Sequence, residues 1–130
     1  MPNMPKISES EWEIMKVIWR QSPLIAEQIV SQLSNKIEWS DQTVRTFINR
    51  LLKKKAIGFE KSGRSYLYFP LVCEKECVRF ESQSFLKRVF NGAADIMVTN
   101  FLEETDLSQQ QIDNLHEILT EKRRQKDNGT

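Results

Sequence analysis

The chain has 130 residues, 28% of them charged and 39% hydrophobic, a balance that fits a soluble globular protein and excludes a disordered one. No apolar run approaches the roughly 20 residues of a membrane helix, and the opening MPNMPKISESEWE has no apolar signal region. A cytoplasmic protein without stable membrane association is therefore expected, and its two cysteines, Cys73 and Cys77, are too few for a disulfide framework.

Ser8 and Glu11 have the spacing of a capping box, with Ile7 and Trp12 as its hydrophobic staple. Trp12, Met15 and Trp19 recur at helical spacing, broadened by Ile14 and Ile18, until Ser22-Pro23 stops the helix. Ala26, Ile29, Val30 and Leu33 predict a second short helix over about 25–34. Ser40 caps a third, with Trp39 and Val44 as staple and Val44, Phe47, Ile48 and Leu51 as its buried face. Lys53, Lys54 and Lys55 close it at the negative end of the helix dipole. The turn residues Ser62-Gly63-Arg64-Ser65 lie between β-prone flanks and predict a hairpin.

From residue 74 the pattern is helical again. Cys77, Phe80, Phe85, Val89 and Phe90 mark a fourth helix that stops at Asn91-Gly92. Ala94, Met97, Val98, Phe101 and Leu102 mark a fifth. Ser108 and Gln111 box a sixth, stapled by Leu107 and Ile112 and carrying Leu115 and Leu119. The polar tail from Lys122 is expected to fray. The fold class is mostly α with a small β-hairpin: a winged helix-turn-helix over 1–72 and a helical dimerisation segment over 73–130.

The net charge of +1 hides a split. Residues 1–70 carry 11 Lys/Arg against 7 Asp/Glu, whereas residues 71–130 carry 8 against 11. The basic half calls for a polyanionic partner, double-stranded DNA in this setting. Packing uses up the apolar face of the third helix and leaves Gln42, Thr43, Arg45, Thr46, Asn49 and Arg50 outside. Arg can bond guanine bidentately, Gln can bond adenine, and Thr can bond bases or touch the thymine methyl. Gln42, Thr43, Arg45 and Thr46 are the expected base readers, in the helix half that meets base edges. Ser40, Asn49, Arg50, Lys61, Arg64 and Ser65 are the expected backbone contacts. A solvated helix face would show similar residue types, so helix order, wing and charge split carry the reading together. For self-association, Phe80, Phe85, Val89, Met97, Val98, Phe101, Leu102, Leu115 and Leu119 are the expected apolar set.

Catalysis finds no foothold. There is no Gly-rich phosphate loop or nucleophile elbow, and His116 is the single histidine. Cys73 and Cys77 have i, i+4 spacing but no nearby ligands for a structural metal, and read as two small half-buried residues. Asp95, Glu103, Glu104 and Asp106 read as a solvated face, and Trp12, Trp19 and Trp39 as packing. No metal, no cofactor and no enzyme activity are expected.

ISESEWEIMKVIW at 7–19, WSDQTVRTFINRLLKKKAI at 39–57, GRSYLYFP at 63–70 and FLKRVFNGAADIMVTNFLE at 85–103 carry a resemblance. With these segments the chain resembles the penicillinase and methicillin-resistance repressors, a family that also holds copper-responsive repressors. The resemblance implies a dimeric repressor with a winged helix-turn-helix, its readers at the start of the third helix. In the β-lactamase branch it implies inactivation by a sensor-linked protease at an Asn-Phe bond, which maps onto Asn100-Phe101. The copper branch carries a C-terminal Cys-x-Cys motif that EKRRQKDNGT lacks, which argues against copper sensing. Two alternatives stay open at this point: a repressor of the same fold released by metal or small-ligand binding, and a winged-helix protein-interaction module. The latter would more often expose apolar residues on the third helix.

Overall fold

The computed structural model describes residues 4–129. The elements follow in the order α1 (Glu9–Arg20), α2 (Ala26–Ser34), α3 (Asp41–Lys53), β1 (Ile57–Ser62), β2 (Ser65–Pro70), α4 (Glu74–Phe90), α5 (Ala94–Glu104) and α6 (Gln109–Asn128). Compact packing divides them into two units at the Ser82–Gln83 bond.

In the first unit, local signals set the helix ends. The Ser8 hydroxyl accepts from the Glu11 N–H at 3.1 Å, while the Ser8 N–H donates to the Glu11 carboxylate at 2.9 Å, completing the capping box. Ser40 caps α3 by accepting from the Thr43 N–H at 3.2 Å. At the other end of α3, Lys55 takes a left-handed backbone with φ 63°. Its N–H bonds Leu52 O and the Ala56 N–H bonds Leu51 O, the paired closure of a Schellman motif.

The apolar faces of these elements meet in one core. Ile14, Met15 and Ile18 of α1, Ile29 of α2, and Val44, Ile48 and Leu51 of α3 are buried together with Leu24, Ile57 and Tyr68. The hairpin pairs in register from Ile57↔Pro70 to Ser62↔Ser65 and turns through Gly63-Arg64. Gly63 takes φ +62° and Arg64 is not left-handed, the pattern of a type II′ turn, which suits the twist of a two-residue hairpin. Leu24 and Tyr68 exchange backbone hydrogen bonds of 3.0 and 2.7 Å, docking β2 beside the segment that leads into α2. Helix α3 and the hairpin are thus held by one core, with their outer surfaces free.

Two expectations need correction. The compact division at Ser82–Gln83 lies ten residues past the sequence boundary at 72–73, and Cys77 of α4 is buried in the first unit's core. Cys73 and Cys77 are accordingly not a half-buried pair, since Cys73 is exposed and Cys77 buried. Burial, with smaller contributions from Cys73 and Glu76, pushes the Cys77 thiol above its ordinary value, away from the reactive thiolate. Finally, Lys122 onward does not fray. Helix α6 runs to Asn128, and the Arg124 guanidinium holds Glu121 at 2.8 Å one turn back.

The second unit is built differently. Asn91 and Gly92, with φ 52° and 84°, end α4, and Ser108 and Gln111 form the expected capping box of α6. Phe85 stacks on Phe101 with centroids 6.3 Å apart and meets Phe90 at 5.8 Å. Yet none of its described residues is buried.

Candidate nucleic-acid interface

Helix α3 presents Gln42, Arg45, Thr46 and Asn49 at i, i+3, i+4 and i+7, all exposed. This stripe lies opposite the buried Val44, Ile48 and Leu51. Of the four expected base readers, Thr43 is drawn off the stripe. It is half-buried, and its hydroxyl lies 3.0 Å from the Ser40 hydroxyl at the cap. Thr46 donates its hydroxyl to Gln42 O at 2.9 Å, leaving its methyl and its oxygen lone pairs outward. Gln42 and Arg45 keep their hydrogen-bonding ends at the surface.

The expected backbone contacts flank this stripe. Ser40 is exposed but engaged in capping. Arg50 is exposed and sets its guanidinium 5.6 Å from the Phe47 ring, which itself packs on Trp39 at 5.0 Å. On the wing, Lys61 and Arg64 are exposed at the tip and Ser65 is half-buried. Arg45, Arg64, Ser65 and Tyr66 line a 200 Å³ cleft whose far wall is Ile25, Ala26 and Glu27 at the start of α2. The cleft joins helix and wing into one surface. Tyr68 forms its buried floor, and burial pushes that phenol above its ordinary value.

Two ion pairs here are absent from the sequence reading. The Arg45 Nη2 donates to Glu27 Oε1 at 2.9 Å, with both side chains largely exposed. Glu27's own backbone N–H, then Arg45, hold its carboxyl below the ordinary value of 4.5. The second pair joins α1 to the end of α3. Glu11 is only 2% exposed and accepts from the Lys54 ammonium, which also donates to Lys6 O at 2.7 Å. Neither partner is near the other in sequence, so helical spacing carries no sign of either pair.

In the second unit the expected self-association set is open to solvent. Val89, Val98, Phe101, Leu102 and Leu119 are exposed, Phe101 by 47% and Leu119 by 60%, while Phe85, Met97 and Leu115 are half-buried. Ile96, Ile112 and Ile118 are exposed as well. Phe80 is exposed too, but belongs to the first unit. Asn100 and Phe101 lie in mid-helix on α5.

Three helices followed by a two-stranded hairpin docked on them by a backbone bridge form a winged helix-turn-helix, with α3 as its outward helix. The penicillinase repressor family model matches residues 7–121, and the chain belongs to that family. It is 40% identical to the penicillinase repressor of Bacillus licheniformis, over 97% of this chain and 98% of that protein. It is 37% identical to the methicillin resistance regulatory protein MecI of Staphylococcus aureus, over 90% of this chain and 95% of that protein. Among solved structures, it is similar to the monomeric form of Bacillus licheniformis BlaI in complex with the blaP half-operator. There the identity is 38% and the TM-score 0.51, covering 58% of this chain and 93% of that one.

Proposed function

We propose that this chain is a homodimeric cytoplasmic repressor that binds a palindromic operator of β-lactam-resistance genes and is inactivated by cleavage at Asn100-Phe101. The observation that carries the DNA reading is the exposed stripe of Gln42, Arg45, Thr46 and Asn49 beside the cationic wing tip. Arg45 reads a base edge, and Lys61 and Arg64 hold the flanking phosphates. The half-operator bound by the Bacillus relative supports one winged head per half-site. Two heads related by a two-fold axis then require a palindrome.

Replacing Arg45 by Ala is expected to cost about 1–3 kcal/mol per half-site and to relax base preference at one position. Replacing Arg64 by Ala is expected to weaken all duplexes alike and to reduce the salt slope by about 1. Titrations of matched and scrambled duplexes at several salt concentrations separate the two. Base discrimination left intact in Arg45→Ala overturns the assignment.

Cleavage at Asn100-Phe101 by a sensor-linked protease severs the end of α5 and all of α6 from the winged head. A bond in mid-helix must open before a protease can hold it, so the cutting rate follows the opened population. DNA, by favouring the closed dimer, is expected to slow the cut. Mass spectrometry of the protein from induced cells is expected to show a fragment ending at Asn100. Derepression with the chain intact overturns the proteolytic switch.

A further inference from the structure

Glu27 places a carboxylate inside a surface that is otherwise built to receive anions. It is the only acid among the described residues lining the cleft, where Arg45 and Arg64 supply two cations and Ser65 and Tyr66 two hydroxyls. It takes one nitrogen of Arg45, Nη2, at 2.9 Å. Both side chains are too exposed for the pair to contribute much to folding. Its consequence is for whatever enters the cleft.

We propose that Glu27 is a specificity-determining residue for DNA: its carboxylate restrains Arg45 from phosphate and leaves it free to answer only to a base edge. The inference rests on the DNA reading above. A phosphate approaching Arg45 brings a negative charge up to the Glu27 carboxylate and meets repulsion in addition to displacing it. A guanine edge brings two neutral acceptors, O6 and N7, and meets no such charge. The carboxylate therefore penalises the phosphate-bound state of Arg45 more than its base-bound state. Non-specific binding draws almost wholly on phosphate contacts, so a penalty confined to them widens the gap between operator and bulk DNA. The device costs some total affinity and increases discrimination, as a repulsive element in a recognition surface does.

The test uses the full chain and its Glu27→Gln variant, which keeps the shape and removes the charge. Two duplexes serve as probes: one selected by the wild-type chain from a randomised pool, and a scrambled duplex of the same composition. Affinity for the scrambled duplex is expected to rise roughly 3- to 10-fold, with a salt slope steeper by about 1. Affinity for the selected duplex is expected to rise less than about 3-fold, so the specificity ratio falls. The urea midpoint is expected to stay unchanged, because Glu27 is exposed. In an Arg45→Gln background the effect on the ratio is expected to shrink. Equal rises on both duplexes, or no rise, overturn the proposal. A fall confined to the selected duplex also overturns it, since Glu27 would then support Arg45 instead of restraining it. A wild-type chain that selects no sequence overturns the DNA reading itself.

Discussion

A chain ending at Ser82 is expected to sediment as a monomer and to bind a palindromic duplex about 10²- to 10³-fold more weakly than the full chain. The head should survive the truncation. Its core lies within Ile7–Cys77, all of it on the head side of the cut. What is lost is the second unit, where no described residue is buried and large apolar side chains such as Ile96, Phe101, Ile118 and Leu119 stand open. A helical segment with no buried side chain cannot offset the entropy of ordering its own chain. In the proposed homodimer a second copy laid against those stripes would supply the missing burial. Once the two are joined, the second head meets its half-site at an effective concentration near millimolar, and this is the origin of the expected gain. Sedimentation of both proteins, with titration of one palindrome, provides the check. A full chain that stays monomeric at micromolar concentration, or a truncated chain that binds as tightly, overturns the dimer.

What the sequence made legible is what depends on near neighbours. The boxes at Ser8/Glu11 and Ser108/Gln111 close within one helical turn, so residue type and spacing suffice to find them. The stops at Ser22-Pro23 and Asn91-Gly92 are equally local. The tail after Lys122 carries no helix signal in its hydrophobic periodicity, yet it is helical to Asn128. Lys, Arg, Gln and Glu are good helix formers without any apolar face, and Glu121 and Arg124 add an i, i+3 pair. The illegible features are those set by packing across the chain. Glu27 reaches Arg45 over 18 residues and Lys54 reaches Glu11 over 43. The burial of Cys77 is of the same kind, since it depends on the core that Cys77 completes and not on its sequence neighbours. For the DNA face, the stripe was readable from the α3 pattern, but the withdrawal of Thr43 into its cap depended on side-chain geometry.

Replacing Lys54 by Met is expected to cost about 2–3 kcal/mol at pH 7, and less as the pH falls. Burial alone pushes the Glu11 carboxyl up, yet it is held below its ordinary 4.5 by hydrogen bonds from Lys54 and the Ser8 N–H and by the Lys54 charge. A depressed carboxyl favours the fold at neutral pH, and that contribution is lost as pH falls below about 4.5 through the folded value. Without Lys54 the carboxyl loses that hydrogen bond and that charge, so it rises from its wild-type value. The variant is therefore least handicapped when Glu11 is protonated in both proteins, and its penalty grows as pH rises and the wild-type carboxylate ionises. Removing one partner of a fully buried pair costs about 3–5 kcal/mol, and the cost here falls at or somewhat below that range because Lys54 is 34% exposed and its loss opens a path for water to the carboxylate. Glu11→Gln gives the contrast. Its amide oxygen can still accept from the Ser8 N–H, so the capping box survives, and its cost relative to wild type falls away as the wild-type carboxylate is protonated. The two variants differ in what they leave behind at neutral pH, a buried charge in Lys54→Met and a cation free to turn to water in Glu11→Gln, so Lys54→Met is expected to be the less stable. Urea unfolding of all three proteins at pH 7 and pH 4 tests this. A deficit in Lys54→Met that is the same at both pH values means that Lys54 acts through packing of its aliphatic stem, and the buried pair is not what ties α1 to the end of α3.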